Sequence, residues 1–208
     1  PNVYDFDLVD EAKEAVHHAL ETRHCGYAPS EGLPEALSAI EADAGGRQHI
    51  GSIVGSFTGN GASECIDLAL TALVNPGDNV LLPSPTYPLY ETILNRLGVE
   101  IRFYKMKQED GWQPDVAQIA SIVDERTRAI VVINPNNPTG AVYSEDRLRD
   151  IIEIAKEHRL LILNDEIYER LILGDSHHVP MASLDDSACF VTFNGLSKAY
   201  LGPGIRVG

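Results

Sequence analysis

Apolar residues fall into two rhythms along this chain. From residue 53 onward, short unbroken apolar runs alternate with longer stretches of helical spacing. The runs at 53–58, 79–82, 99–104, 129–133, 160–163 and 190–193 predict strands. Between them, 62–74, the stretch ending at 97, 114–123 and 144–158 predict helices. In 114–123 the inward face is Val116, Ile119, Ala120 and Val123. Ser144 offers an N-cap, with Arg147 rather than Glu or Gln three residues on, so the capping box is incomplete. Upstream, Val9, Ala12, Ala15, Val16, Ala19 and Leu20 recur at helical spacing and predict a helix over 8–22. His17 and His18 sit side by side on it; adjacent helical side chains diverge by about 100° and cannot chelate together, so they belong to a solvated face. A Gly- and Pro-rich loop follows. Ser30 or Glu31 leads into a helix over 34–44, with Pro34 in its first turn and Gly45-Gly46 ending it.

Strands that are apolar without alternation, separated by helices, indicate an α/β three-layer sandwich with a mostly parallel central sheet covered on both faces. No repeat, low-complexity segment or linker divides the chain, so one domain over 1–208 is expected. The balance of 16 Lys and Arg against 31 Asp and Glu, net -15, argues against a nucleic-acid or anionic-membrane surface. It leaves room for an anionic small ligand in a local positive pocket. Cys25, Cys65 and Cys189 form no C-x-x-C pair, which predicts a reduced, cytoplasmic protein without a zinc or redox motif. No leader and no apolar run near 18 residues is present, so no membrane span is expected.

In a sheet of this kind ligands gather at the carboxyl ends of the strands. After 53–58 comes Gly59-Asn-Gly61-Ala62-Ser63 at a helix start, an anion site made of backbone N–H groups. Glu64 stands where a dinucleotide fingerprint needs its third glycine, and no P-loop lysine follows; a plain capped helix start fits equally well. After 79–82 comes Ser84-Pro-Thr-Tyr87-Pro, where Tyr87 either stacks on a flat ring or packs a turn. After 129–133 comes Asn134-Pro-Asn-Asn137-Pro-Thr-Gly140, either a mere loop or a site that holds out the Asn137 amide as a donor; its stiffness beyond a strand favours the site. After 160–163 comes Asp165, with Tyr168 three residues on. A carboxylate there needs a cationic partner or caps a helix. After 190–193 comes Lys198, with Arg206 eight residues later. Lys198 is either a desolvated amine suited to Schiff-base chemistry or a surface lysine in a turn. An anion cradle, a flat aromatic, an amide, a carboxylate, a phenol, a lysine and an arginine together suit one small molecule, pyridoxal 5'-phosphate (PLP).

These residues, in this order, resemble the fold-type-I, class I and II aminotransferases. The carriers are Asn137-Pro-Thr-Gly140, Asp165-x-x-Tyr168 and Ser197-Lys198 with Arg206 eight positions on. Asn134 to Tyr143 and Phe193 to Lys198 look most like the alanine (glutamate–pyruvate) branch. The resemblance implies a PLP-dependent homodimer that moves an amino group between an amino acid, alanine for choice, and a 2-oxo acid, 2-oxoglutarate for choice. It implies that Lys198 holds the cofactor as a Schiff base and moves the substrate proton. Asp165 would keep the ring nitrogen protonated, and Asn137 and Tyr168 would bond the ring oxygen. Tyr87 would stack on the ring. Gly61, Ala62, Ser63, Ser197 and Arg206 would hold the phosphate, and Tyr27 would reach the phosphate of the neighbouring subunit. Asn137 would also face the substrate. Ser84-Pro85 and Asn137-Pro138 are expected to be cis.

Two departures stand out. Many relatives carry a serine at the position of Gly195. Relatives also continue past Arg206 and build a small domain from their terminal segments, which supplies an arginine for the substrate carboxylate. The chain therefore reads as the large PLP-binding domain, truncated at both ends, and inactive when isolated. The same fold carries C–S lyase and cyclopropane-carboxylate synthase chemistry. It also serves as the PLP-binding sensor domain of transcription regulators, which place a basic helix-turn-helix ahead of it; nothing basic of that kind precedes residue 25.

Overall fold

Each parallel strand hands the chain to a helix, and the order in which those helices cross the sheet fixes where a ligand can sit. The computed structural model describes residues 7–22 and 26–208; Cys25 lies outside them. The strands are β1 (Asn79–Ser84), β2 (Glu100–Lys107), β3 (Gln113–Pro114), β4 (Thr127–Ile133), β5 (Leu161–Asp165) and β6 (Cys189–Phe193). They form one sheet in the order β3-β2-β1-β4-β5-β6. All neighbours are parallel except the short β2–β3 pair. The chain leaves β1 toward β2 on one side and returns to β4 on the other. The crevice beyond the carboxyl ends of β1 and β4 is therefore the switch point where such sheets bind ligands.

The helices are α1 (Asp10–Thr22), α2 (Pro34–Gly46), α3 (Ala62–Leu73), α4 (Pro88–Leu97), α5 (Val116–Ile122) and α6 (Glu145–His158). Successive strand residues point to opposite faces, so one strand feeds two cores. Val131 and Ile133 pack with Ile66 and Leu70 of α3 and Ile93 and Leu94 of α4. Ile130 and Val132 pack with Ile119 of α5 and Leu148, Ile151 and Ile152 of α6. This double covering is why β4 carries no polar alternation, and it establishes the three-layer sandwich. No described helix is long and apolar enough to cross a membrane.

Several local expectations hold. Ser144 accepts from the Arg147 N–H at the start of α6, which ends at His158. Ser84-Pro85 and Asn137-Pro138 are both cis, as is Asn134-Pro135. His17 and His18 are exposed on α1.

Others need correction. Residues 53–58 form no strand. Thr58 N–H bonds the Glu31 carbonyl and Gly59 pairs with Gly208, too little to make a ladder. Val54 and Phe57 are exposed, so the apolar run is not buried in any layer here. Helix α2 is capped at Leu33 without a side-chain bond, not by Ser30 or Glu31. It runs through Gly45 and Gly46, because Arg47 N–H still bonds the Asp43 carbonyl. Helix α5 is shorter than expected, with Asp115 accepting from Gln118 N–H at its start. Its Ala120 faces solvent, and Ile122 takes the inward place. The apolar stripe of α1 buries none of its residues among the described ones.

Candidate active site

Four strand-to-loop exits and the start of α3 converge on one cleft of about 230 Å³. The start of α3 contributes Ala62 and Ser63, the β1 exit Tyr87, and the β4 exit Asn137. Asp165 and Tyr168 come from the β5 exit; Ser197, Lys198 and Arg206 follow β6. Ile66, Ile133 and Ile167 supply an apolar wall that the motifs do not announce. Of the site residues singled out from the sequence, Gly61 and Tyr27 are not on the lining. Gly61 lies buried beneath it, and Tyr27 is fully exposed outside it.

Gly61 is there because nothing larger fits. It adopts a φ of +84, which L side chains rarely adopt, and a Cβ on it would stand 2.1 Å from Arg206 Nη2. The guanidinium occupies that space and donates to the Asn60 and Pro203 carbonyls at 3.0 Å each. It lies next to the first turn of α3, where Glu64 N–H bonds the Gly61 carbonyl and the Ala62 and Ser63 N–H groups precede any intrahelical acceptor. A positive side chain and a helix N-terminus thus share one corner of the cleft, an arrangement suited to a phosphate.

Asp165 ends β5 and is buried. No helix follows it, which removes helix capping as its explanation. Its Oδ1 accepts from the Ile167 N–H at 3.2 Å and its Oδ2 from the Tyr90 hydroxyl at 2.9 Å. Burial pushes its carboxyl up to about 6, against the pull of those two donors; Glu166 adds to the rise and Lys198 opposes it. Lys198 sits half-buried in a turn, its Nζ 5.6 Å from the centre of the Tyr168 ring.

Gly195 has a local cause. A Cβ there would meet the Val207 carbonyl oxygen at 2.8 Å and Gly208 Cα at 3.1 Å. The serine of many relatives fits only if that backbone moves, and the serines that line the cleft are Ser63 and Ser197.

Behind the cleft, Glu169 accepts from Arg47, Gln48 and Asn194. Burial alone would push its carboxyl up, but these partners hold it below the usual value. Glu166 accepts from Asn164 and the Met181 N–H, with His178 Nε2 at 3.5 Å. Glu166, Glu169 and His178 come close enough together for metal ligation. The guanidinium already bound to Glu169 makes this a charge-paired brace beneath the β5 exit. The sequence reading missed this brace and Tyr90, whose bond to Asp165 crosses from α4 to β5 and leaves no local signal.

The family model for aminotransferase class I and II matches residues 1–208. The chain belongs to the class I and II aminotransferases, a family of PLP-dependent enzymes. An alanine aminotransferase of Mycobacterium tuberculosis is 40% identical over 212 residues, covering 100% of this chain and 49% of the relative. A glutamate–pyruvate aminotransferase of Escherichia coli is 40% identical over 210 residues, covering 100% of this chain and 51% of the relative. The solved alanine aminotransferase of Pyrococcus furiosus superposes with a TM-score of 0.94 at 36% identity, covering 99% of this chain and 52% of that one. The aminotransferase chain thus spans about half the length of the curated relatives it matches.

Proposed function

We propose that this chain is the PLP-binding large domain of a transaminase that moves an amino group between alanine and 2-oxoglutarate. The observation that carries the reading is the meeting of Lys198, Asp165, Asn137 and Tyr168 in one cleft with the Arg206 corner. That donor set fits the cofactor group by group. The α3 N-terminus, Ser63, Ser197 and Arg206 suit a phosphate, and Tyr87 with the isoleucine wall suits a flat ring. Asn137 and Tyr168 suit the ring oxygen, Asp165 the ring nitrogen, and Lys198 Nζ an aldehyde. When bound, PLP supplies a sink for the electron pair left on the substrate α-carbon. Lys198 Nζ would hold the aldehyde carbon and would carry the substrate's proton from the α-carbon to that carbon. Asp165 Oδ atoms hold the proton of the ring nitrogen. The choice of alanine rests on the names of the two relatives at 40% identity.

Tyr27, exposed outside its own cleft, is suited to reach a neighbouring subunit's phosphate, which supports a homodimer. A cytoplasmic location accords with the free thiols of Cys65 and Cys189.

The test is product analysis with the full-length protein. L-alanine plus 2-oxoglutarate is expected to give equal amounts of pyruvate and glutamate. Ammonia released from cystathionine with no need for an oxo acid would instead establish lyase chemistry. The cations lining the cleft are Lys198 and Arg206, neither placed for a substrate carboxylate. The isolated 208-residue chain is therefore expected to bind PLP and turn over neither substrate.

Gly61→Ala tests the phosphate corner. The new methyl must displace the Arg206 guanidinium and hold a strained φ. The expected result is PLP binding weakened by about tenfold or more, since hydrogen bonds to charged groups are worth about 1.5–3 kcal/mol. Absorbance titration with PLP measures it; unchanged affinity would remove Arg206 from the phosphate role.

A further inference from the structure

Tyr90 carries a hydroxyl that packing does not require. It lies on the first turn of α4, fully buried among Ile66, Leu70, Leu94, Ile133 and Phe193. Phenylalanine would fill the same space without a polar group to satisfy. A buried phenol needs an acceptor, and this one reaches past β4 to Asp165 Oδ2 at 2.9 Å. With Ile167 N–H on Oδ1, each carboxylate oxygen has one fixed donor, and the plane of the carboxylate is set.

We propose that Tyr90 is a positioning residue that fixes the Asp165 carboxylate and favours its ionised form toward the ring nitrogen of PLP. The inference rests on the cofactor reading above and adds a residue to it. The groups that bear on Asp165 come from three elements. Tyr90 donates from α4, Glu166 repels from Asp165's own loop, and Lys198 attracts from the loop after β6. Tyr87 faces Tyr90 in turn. Burial, then the Asp165 charge, pushes the Tyr90 phenol well above its ordinary value, so it remains a donor at neutral pH. Lys198 is the mobile group of the proposed reaction, bound to the cofactor and then released. Tyr90 is the side-chain donor that stays in place throughout. Glu166 already disfavours a second charge beside it, so removing the Tyr90 hydroxyl shifts the carboxylate toward its neutral form. Such a form can no longer hold a protonated ring nitrogen.

The experiment loads full-length protein with PLP labelled with 15N in the ring and follows the nitrogen resonance against pH. The parent is expected to keep the nitrogen protonated through neutral pH. In Tyr90→Phe the midpoint for losing that proton is expected to fall by about 1 pH unit, a tenfold change. kcat should fall by a similar factor with the KM for the amino donor little changed. A Tyr90→Phe protein that is folded, PLP-loaded and titrates with the parent would overturn the proposal, even if its Tm drops. If Tyr90→Phe does not fold, 3-fluorotyrosine placed at position 90 keeps the shape and donates more strongly. It should move the midpoint upward, and no movement overturns the proposal. A parent protein that never attaches PLP would overturn the cofactor reading itself, a result separable from both.

Discussion

Lys198→Ala is expected to lose the near-visible absorbance of lysine-bound PLP and to lower kcat by about 10⁴-fold, the upper range for a positioned acid–base group. The argument is one of elimination as well as geometry. The chain has five lysines. Lys13 pairs with Asp7 and Asp10, Lys107 with Asp115, and Lys156 with Glu153 and Asp185. Lys105 lies on β2, on the side of the sheet away from β5 and β6. Lys198 is the lysine that lines the cleft. Its removal should leave the fold intact. The side chain is half-buried, and its contact with the Tyr168 ring is worth about 0.5–1 kcal/mol. The variant is therefore expected to melt within a few degrees of the parent and to bind PLP without a covalent bond. A Lys198→Ala protein with the parent's absorbance would mean that another amine carries the cofactor.

How far the sequence revealed this site depends on the kind of interaction. Asn137, Asp165, Tyr168, Lys198 and Arg206 were legible because each follows an apolar run that forms a parallel strand, and parallel strands end on one edge, even though β6 itself buries only Phe193. Local chemistry then says what each can do. Tyr90 was not legible, because its function lies in a hydrogen bond across two strands, and a buried helical tyrosine reads as core. The Gly195 clash was equally hidden, since it depends on where residues 207 and 208 return. Among the fold elements, β4 and α6 could be read closely: a doubly covered strand and a capped amphipathic helix carry their causes in their own residues. Residues 53–58 misled, because apolarity alone cannot say whether a run finds strand partners. The stripe on α1 is a true helical pattern, but a pattern does not name the surface it will meet.

Asp165→Asn is expected to move stability and activity in opposite directions. The ordinary aspartate value is about 3.9, and burial raises Asp165 to about 6 in the folded protein. A raised carboxyl binds its proton more tightly folded than unfolded. Its stabilising effect is therefore fully present below about pH 4 and is lost as pH rises to about 6. Above that, the ionised group costs the cofactor-free protein about 3 kcal/mol relative to its neutral form. Asparagine never bears that cost. It can still accept from the Ile167 N–H, and its amide can donate to the Tyr90 hydroxyl oxygen, since a phenol both donates and accepts. At pH 7.5 the cofactor-free variant should unfold at higher denaturant than the parent, and near pH 4 the two should nearly coincide. Loaded with PLP, the same variant lacks the charge facing the ring nitrogen. Its kcat should fall by about 10³-fold, the scale seen when one preorganised electrostatic partner is removed. Stability gained where activity is lost marks a strained functional group, not a structural one. Denaturation at the two pH values, set beside turnover, decides it. An Asp165→Asn protein that is less stable at pH 7.5 yet fully active would make Asp165 a structural residue and remove it from the proposed chemistry.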